Sequence, residues 1–598
     1  MPASQRLAQL RASMQQHQLA AYIVLTADPH LSEYLPARWQ SRQWLTGFTG
    51  SVGTLVVTAS GAGLWVDSRY WEQAAAQLEG TGVVLMKSGH ADVPEPADWV
   101  AKHVHAPGRV GVDASVLSLA LWRKLSGPLA EQEIELVTDL DLVQAIWTDR
   151  PGLPDAPVFA HQAPYATVSR ADKLTQVRAD VRALGADVHL ISTLDDIAWL
   201  TNLRGSDVSY NPVFLAHMVL THDAATLYVP NGKVSDDVVQ DLIRDGVDVA
   251  PYETLGAGLA RITPDQKVLI DPARMTKGVL AHLDARVELV EAYNPSSLRK
   301  ACKTPEELAH VRQAMEHDGA ALCDFFAWFE SRLGQQPMTE LTVDVELTAR
   351  RKQRPGFVSL SFPTIAGFNG NGAMPHYRAT EAAYADIEGD GLLLIDSGAQ
   401  YVGGTTDITR VIPIGSPSDA QKRDFTLVLK GMIRLSMAQF PVGLPAPMLD
   451  ALARAPIWAA GADFGHGTGH GVGYFLNVHE GPQVIAHRAA ALPHTAMRAG
   501  MITSNEPGIY RDGRWGVRIE NLVANVAGDT TELGEFLKFE TLTLCPIDTR
   551  CIVGSLLEPA ERTWLNAYHA EVERRLSPLV QGDTLAWLQA RCQPMLNT

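Results

Sequence analysis

Between Asp396 and Glu520 the chain carries five potential metal ligands, each in its own short segment. They are Asp396 in IDSG, Asp407 in GTTDITR, His470 in HGTGHGVG, Glu506 in NEPG and Glu520 in VRIEN. Each segment is glycine-rich or strand-like, so each can present its side chain at a strand end. Four carboxylates and one imidazole are too anionic to be buried together without cations, and an oxygen-rich set suits hard or borderline divalent ions. Two ions fit that charge better than one. The fold must therefore bring several distant chain ends to one point.

The local patterns say how. Asp396 ends the apolar run GLLLID and Asp407 lies in TTDITRVI, with Gly403-Gly404 between them, which predicts a hairpin that sets the two carboxylates face to face. His466 and His470 are separated by Gly467, Thr468 and Gly469, which disfavour a helix and predict an extended segment with both imidazoles on one face. The helical zinc signature HExxH is absent, and a third imidazole, His479, follows in NVHEG. Glu506 stands after MITSN and directly before Pro507-Gly508, where a strand stops at a rigid turn. Glu520 lies in WGVRIENLVANV, read as one strand with Arg518 on the same face, placed to hold a ligand carboxylate. Taken singly, each feature has an ordinary reading: an Asp capping a turn, a surface His in a loop, an Arg-Glu pair on a strand.

The remainder of the 598 residues exceeds what one core serves and reads as alternating helices and strands. Leu7, Leu10 and Met14 recur at helical spacing before the strand AAYIVLT, and WLTGFTGSVGTLVVT and GLWVDSRYWEQAAAQL follow. The proline-rich DRPGLPDAPVFAHQAP marks a linker, after which Ser169 caps a helix and HLIST leads to IAWLTNLRGSDVSYNPVF. Trp44-Leu45-Thr46 and Trp199-Leu200-Thr201, both read as turns, recur in the same element order, which predicts two copies of one fold. Thr304-Pro305-Glu306-Glu307 forms a capping box that opens a long amphipathic helix. The expected domains are residues 1–155, 156–298 and 299–598.

Charge narrows the partners. With 50 Lys and Arg against 67 Asp and Glu, a net −17, the chain has no basic footprint for nucleic acid or an anionic membrane. Five dispersed cysteines, Cys302, Cys323, Cys545, Cys551 and Cys592, form no disulfide framework and are expected to be reduced thiols. No apolar run approaches the about 20 residues of a membrane span, and the first twenty residues have no signal-peptide pattern, so a cytoplasmic protein is expected.

Taken in order, these segments resemble the pita-bread metallopeptidases, and among them the three-domain cytosolic Xaa-Pro aminopeptidases. The likeness spans nearly the whole chain, including FVSLSFPTIAGFNGNGAMPHY, HGTGHGVGYFLNVHEGP, NEPGIY, GVRIEN and the tail from FETLTLCPID to TWLNAYH. The resemblance implies an α/β (α+β) architecture: two related N-terminal α/β domains of the creatinase/prolidase type, then a C-terminal pita-bread catalytic domain. It implies that Asp407 and Glu520 bridge two metal ions, that Asp396 binds one of them, and that His470 and Glu506 bind the other. His376, His466 and His479 would line the substrate site, with Arg518 supporting the bridging carboxylate and Glu506 also carrying a proton. Ala379 departs from the proline that relatives often carry after the His-Tyr pair, which bears on the orientation of His376.

The activity so implied is removal of the N-terminal residue from peptides with proline second, by a hydroxide held between two ions, most simply Mn(II), with Co(II), Zn(II) or Fe(II) as alternatives. Prolidase chemistry on dipeptides is the nearest alternative, and a non-catalytic peptide- or histone-binding protein the next. The latter would show substitutions among the five ligands, and none occurs. A homodimer is expected from the apolar stripe of TWLNAYHAEVERRL, with Trp564 and Tyr568, and from the habit of close relatives.

Overall fold

Two six-stranded sheets in the N-terminal half share one strand order and one set of strand senses. The first runs Val84–Lys87, Ala62–Val66, Thr54–Thr58, Ala21–Val24, Gly108–Val112, Ile134–Val137; the second runs Val247–Pro251, Ala225–Val229, His217–Thr221, Val188–Ile191, Lys267–Ile270, Glu288–Glu291. In both, the first strand in sequence sits fourth, the two successive pairings on one side of it are antiparallel, and every other pairing is parallel. This shared topology is the strongest internal sign of duplication.

The two Trp-Leu-Thr triplets are not turns. Each forms the last turn of a helix, Ser41–Thr46 or Leu194–Thr201, closed by a left-handed residue, Gly47 or Asn202. Each Thr hydroxyl donates to the carbonyl four residues earlier, of Arg42 at 2.8 Å and of Ile197 at 2.7 Å. Leu45, Trp199 and Leu200 are buried and Trp44 packs half-buried against the core, so helical packing overrides the turn signal.

The computed structural model describes residues 1–596. It falls into two compact units, Met1–Gln162 with Val168–Ser296, and Ala163–Thr167 with the chain from Ser297 on. Among the described residues no helix is long and apolar enough to cross a membrane. All five cysteines are free thiols, four of them buried.

The second unit opens with the helix Pro305–Arg332, whose Thr304 and Glu307 make the reciprocal capping bonds at 3.1 and 2.9 Å. This helix and Glu340–Arg351, Asp419–Ser436 and Pro559–Leu576 carry the apolar faces that pack on antiparallel sheets. One sheet has the order Ile365–Phe368, Gly391–Ser397, Ile408–Ile414. A larger one runs Gln439–Pro441, Gly534–Thr541, Asn521–Thr531, Ile502–Asn505, Gly469–Gly471, Glu480–Ile485. A ribbon of Gly508–Arg511 and Trp515–Arg518 stands beside them. The stripe on Pro559–Leu576 is consumed within the chain: Leu565, Tyr568, Val572 and Leu576 are buried in the core and Trp564 stacks on Tyr568 at 5.3 Å.

Candidate active site

Strand pairing does the gathering. Gly391–Ser397 and Ile408–Ile414 pair antiparallel with Asp396 opposite Thr409, and Asp407 immediately precedes the second strand. The connecting chain forms its own small hairpin, Ala399–Tyr401 with Gly404–Thr405. His470 lies in Gly469–Gly471, next to Ile502–Asn505, after which comes Glu506. The approach is tight: a Cβ on Gly469 would lie 1.9 Å from the Ser504 carbonyl oxygen. Glycine is therefore required there for His470 and Glu506 to share one site.

Glu520 departs from expectation. Trp515–Arg518 and Asn521–Thr531 are separate strands with different partners, and Glu520 occupies the break between them. Its N–H donates to the Thr409 carbonyl at 3.2 Å and its Oε2 accepts from the Thr409 hydroxyl at 2.8 Å. Changing sheets frees the peptide of Glu520 from its own ladder, so Thr409, on the strand that follows Asp407, can hold it by both its N–H and its carboxylate.

The ligand atoms of Asp407, His470 and Glu520 lie within 4.8 Å of one another. His470 Nε2 stands 3.3 Å from Glu506 Oε1 and 3.6 Å from Asp407 Oδ2. Its Nδ1–H donates to the Gly471 carbonyl at 2.9 Å, and His466 makes the same bond to Gly467 at 2.8 Å. A carbonyl can only accept, so both rings present an unprotonated Nε2 when neutral. His466 sits in a bend before the strand, and its Nε2 accepts from the Tyr510 hydroxyl at 2.8 Å. The His479 ring stands edge-on to His470 at 4.3 Å between centroids. His376 follows Pro375, whose carbonyl accepts from Arg518, and precedes Tyr377, whose hydroxyl donates to buried Glu340 at 2.7 Å. Glu340 also accepts from the Phe368 and Ala385 amides, and so fixes the loop carrying His376.

Arg518 was expected to support a bridging carboxylate. Its direct partner is Asp396, at 2.5 Å, and it reaches Glu520 only through the Thr409 hydroxyl, 3.2 Å from its Nε. The strand break explains this: with Glu520 off the strand, the two side chains no longer share a face.

The bare cluster is electrostatically unsatisfied. Burial, then the charges of Glu520, Asp396 and Glu506, push Asp407 well above the usual carboxylate range. Burial, with Glu506 and Asp396, does the same to Glu520, and burial outweighs Arg518 in raising Asp396. Burial would raise Glu506 too, but the neighbouring His470, with His466 and Arg518 behind it, brings it down to about 2. Asp396 Oδ1 and Glu520 Oε1 are buried without a hydrogen-bond partner. Orphaned oxygens on crowded, buried carboxylates are what divalent cations neutralise, so the residues fit a metal centre.

Residues 309–525 match Metallopeptidase family M24, 6–143 and 149–307 each match the Creatinase/Prolidase N-terminal domain, and 535–595 match the C-terminal region of peptidase M24. A probable Xaa-Pro aminopeptidase P of Laccaria bicolor is 39% identical over 99% of this chain and 94% of its own length. The chain belongs to the aminopeptidase P family of M24 metallopeptidases. Aminopeptidase P2 of Arabidopsis thaliana is 38% identical over 96% of the chain and 86% of the relative. The crystal structure of an X-prolyl aminopeptidase from Caenorhabditis elegans, described as a cytosolic enzyme with a di-nuclear active site, superposes with a TM-score of 0.95 at 31% identity, covering 100% of both chains. By contrast an Xaa-Pro dipeptidase from Bacillus anthracis has a TM-score of 0.50 at 25% identity and covers 64% of this chain.

In this aminopeptidase P family member all five candidate ligands fall inside the M24 span. Two site residues went unread in the sequence, Thr409 and Tyr510. Both were legible in principle: Thr409 is two residues from Asp407 on an alternating strand, and Tyr510 closes the NEPGIY segment.

Proposed function

We propose that the protein is a dinuclear metal-dependent Xaa-Pro aminopeptidase, releasing the N-terminal residue of peptides whose second residue is proline. The observation that carries this is the gathering of Asp407, Glu520, Asp396, His470 and Glu506 at one point, with unmatched acceptor oxygens on Asp396 and Glu520, in a chain alike end to end to aminopeptidases P. Asp407 and Glu520 would bridge the two ions, Asp396 would complete one and His470 with Glu506 the other. Bound ions supply Lewis acidity toward water and the peptide carbonyl. The oxygen-rich set favours Mn(II), with Co(II), Zn(II) and Fe(II) as alternatives.

The protein's own groups do the rest. Glu506, beside His470, is placed to carry a proton to the departing prolyl nitrogen. His376, His466 and His479 orient the carbonyl and the proline ring. Arg518 donates to the Tyr510 hydroxyl at 2.6 Å, which turns that hydroxyl's proton toward His466 and keeps this ring neutral, as its fall to about 4 through burial also requires.

The division into residues 1–155, 156–298 and 299–598, a cytoplasmic location and a homodimer belong to the same reading. With the Pro559–Leu576 stripe buried, the surface that supports dimerisation is at the helix Asp450–Ala459. There Leu452 and Trp458, with nearby Met448, are 40%, 43% and 61% exposed. Sedimentation should give twice the chain mass, and Leu452→Arg the single mass.

The deciding experiment compares tripeptides. Ala-Pro-Ala should be cleaved at its first bond at least about a hundredfold faster than Ala-Ala-Ala, since lost apolar fit and a misplaced carbonyl each cost about tenfold or more. Equal rates would indicate a broad aminopeptidase, and activity confined to the dipeptide Ala-Pro a prolidase.

A further inference from the structure

The metal-centre reading leaves unexplained a motif far along the chain, Asn566-Ala567-Tyr568-His569, on the helix Pro559–Leu576. We infer that Tyr568 is a positioning residue for the candidate metal centre, acting through Arg410 on Glu520 and Thr409; this rests on the ligand set proposed above.

Arg410 is buried, and its hydrogen bonds converge on the main chain behind the site. Nη1 donates to the carbonyls of Glu520 at 2.7 Å and Thr409 at 3.0 Å. Nη2 donates to the Cys545 carbonyl and Asn521 Oδ1 at 2.8 Å and to the Tyr568 hydroxyl at 2.9 Å, and Nε to the Pro546 carbonyl at 3.3 Å. All these acceptors are uncharged. A buried guanidinium without a carboxylate partner carries a desolvation cost that a neutral filler would avoid, so its fork geometry is the feature to explain. It completes the hold on Glu520, whose N–H and Oε2 are already tied to Thr409 and whose carbonyl is tied to Arg410.

Tyr568 fixes the guanidinium. Its oxygen accepts from Arg410 and from the Cys545 N–H at 3.3 Å, and its single proton faces the carbonyls of Cys545 at 2.9 Å and Thr543 at 3.0 Å. His569, next in sequence, accepts from the Ile547 N–H at 3.1 Å. The pair thus moulds the chain from Thr543 to Ile547, which offers Arg410 two of its carbonyls. A carboxylate shared by two ions tolerates displacement of only about 0.5 Å, so a tie of this kind acts on metal affinity.

The test titrates the metal-free full-length protein with Mn(II) by calorimetry, well below its melting temperature, beside tripeptide kinetics. Arg410→Met should weaken Mn(II) about 10- to 100-fold, and Tyr568→Phe about 3- to 10-fold, with kcat falling and KM for Ala-Pro-Ala unchanged. Leu565→Ala, a core truncation on the same helix, should lower the melting temperature yet leave the affinity within about twofold. Parental affinity in a folded Tyr568→Phe protein overturns the inference. Should Arg410→Met not fold, Arg410→Lys keeps the charge and loses the fork, and parental affinity there is equally fatal. Glu520→Gln separates this inference from the reading beneath it. If Glu520→Gln binds Mn(II) like the parent, the ligand assignment fails; if it alone weakens, only the role of Tyr568 and Arg410 fails.

Discussion

Arg518 donates to Asp396 Oδ2 at 2.5 Å and, through its other arm, to the Tyr510 hydroxyl at 2.6 Å. One guanidinium therefore orders a candidate metal ligand and, by way of Tyr510, the His466 ring. Lysine would keep the charge but could not span both partners. Arg518→Lys should lower kcat/KM about 10- to 100-fold and weaken metal binding, measured by tripeptide hydrolysis and metal titration.

Asp407→Asn keeps shape and removes one negative charge from the most crowded carboxylate. Metal affinity and kcat/KM should both fall by more than about 100-fold, read from metal content and turnover. The control is Arg244→Ala, whose side chain is 72% exposed and pairs only across a helix turn with Asp241. Arg42 would be a poor control, because it is buried and donates to Thr26 and to the Phe48 and Gly50 carbonyls.

Gly469→Ala would drive a methyl group into the Ser504 carbonyl. The strand carrying His470 must then shift away from Glu506, so metal titration should show an affinity loss of at least about tenfold, with a lower melting temperature, in a chain that keeps its far-UV spectrum.

His569 is buried and held near a pKa of about 4, chiefly by burial and then by the Arg410 charge. Its folded value lies below its unfolded one, so the unfolded chain binds the extra proton. The stability it contributes is present above pH about 6.5 and is lost as pH falls toward 4, at most on the order of 3 kcal/mol. Urea unfolding of His569→Gln should accordingly show a shallower decline between pH 6.5 and 4 than the parent; equal slopes would refute it.

Where the sequence was read correctly, the signal was local. The capping box at Thr304, the strand holding Asp396, the stop after Asn505 and the glycines around His470 each depend on a few adjacent residues, whose backbone preferences act over that range. Where it misled, a distant partner decided. The Trp-Leu-Thr triplets became helix ends because their apolar side chains pack on the core, and the stripe with Trp564 and Tyr568 turned inward to the core. The segment around Glu520 broke because its two halves pair with different strands.

The sequence by itself determined the donor set, its charge and the repeated order of elements, since these follow from residue type and spacing. Only the tertiary structure decided that Arg518 serves Asp396, that Thr409 holds Glu520 and that Tyr568 stands behind Arg410. Those pairings join residues more than a hundred positions apart, and no local preference encodes which strand end meets which.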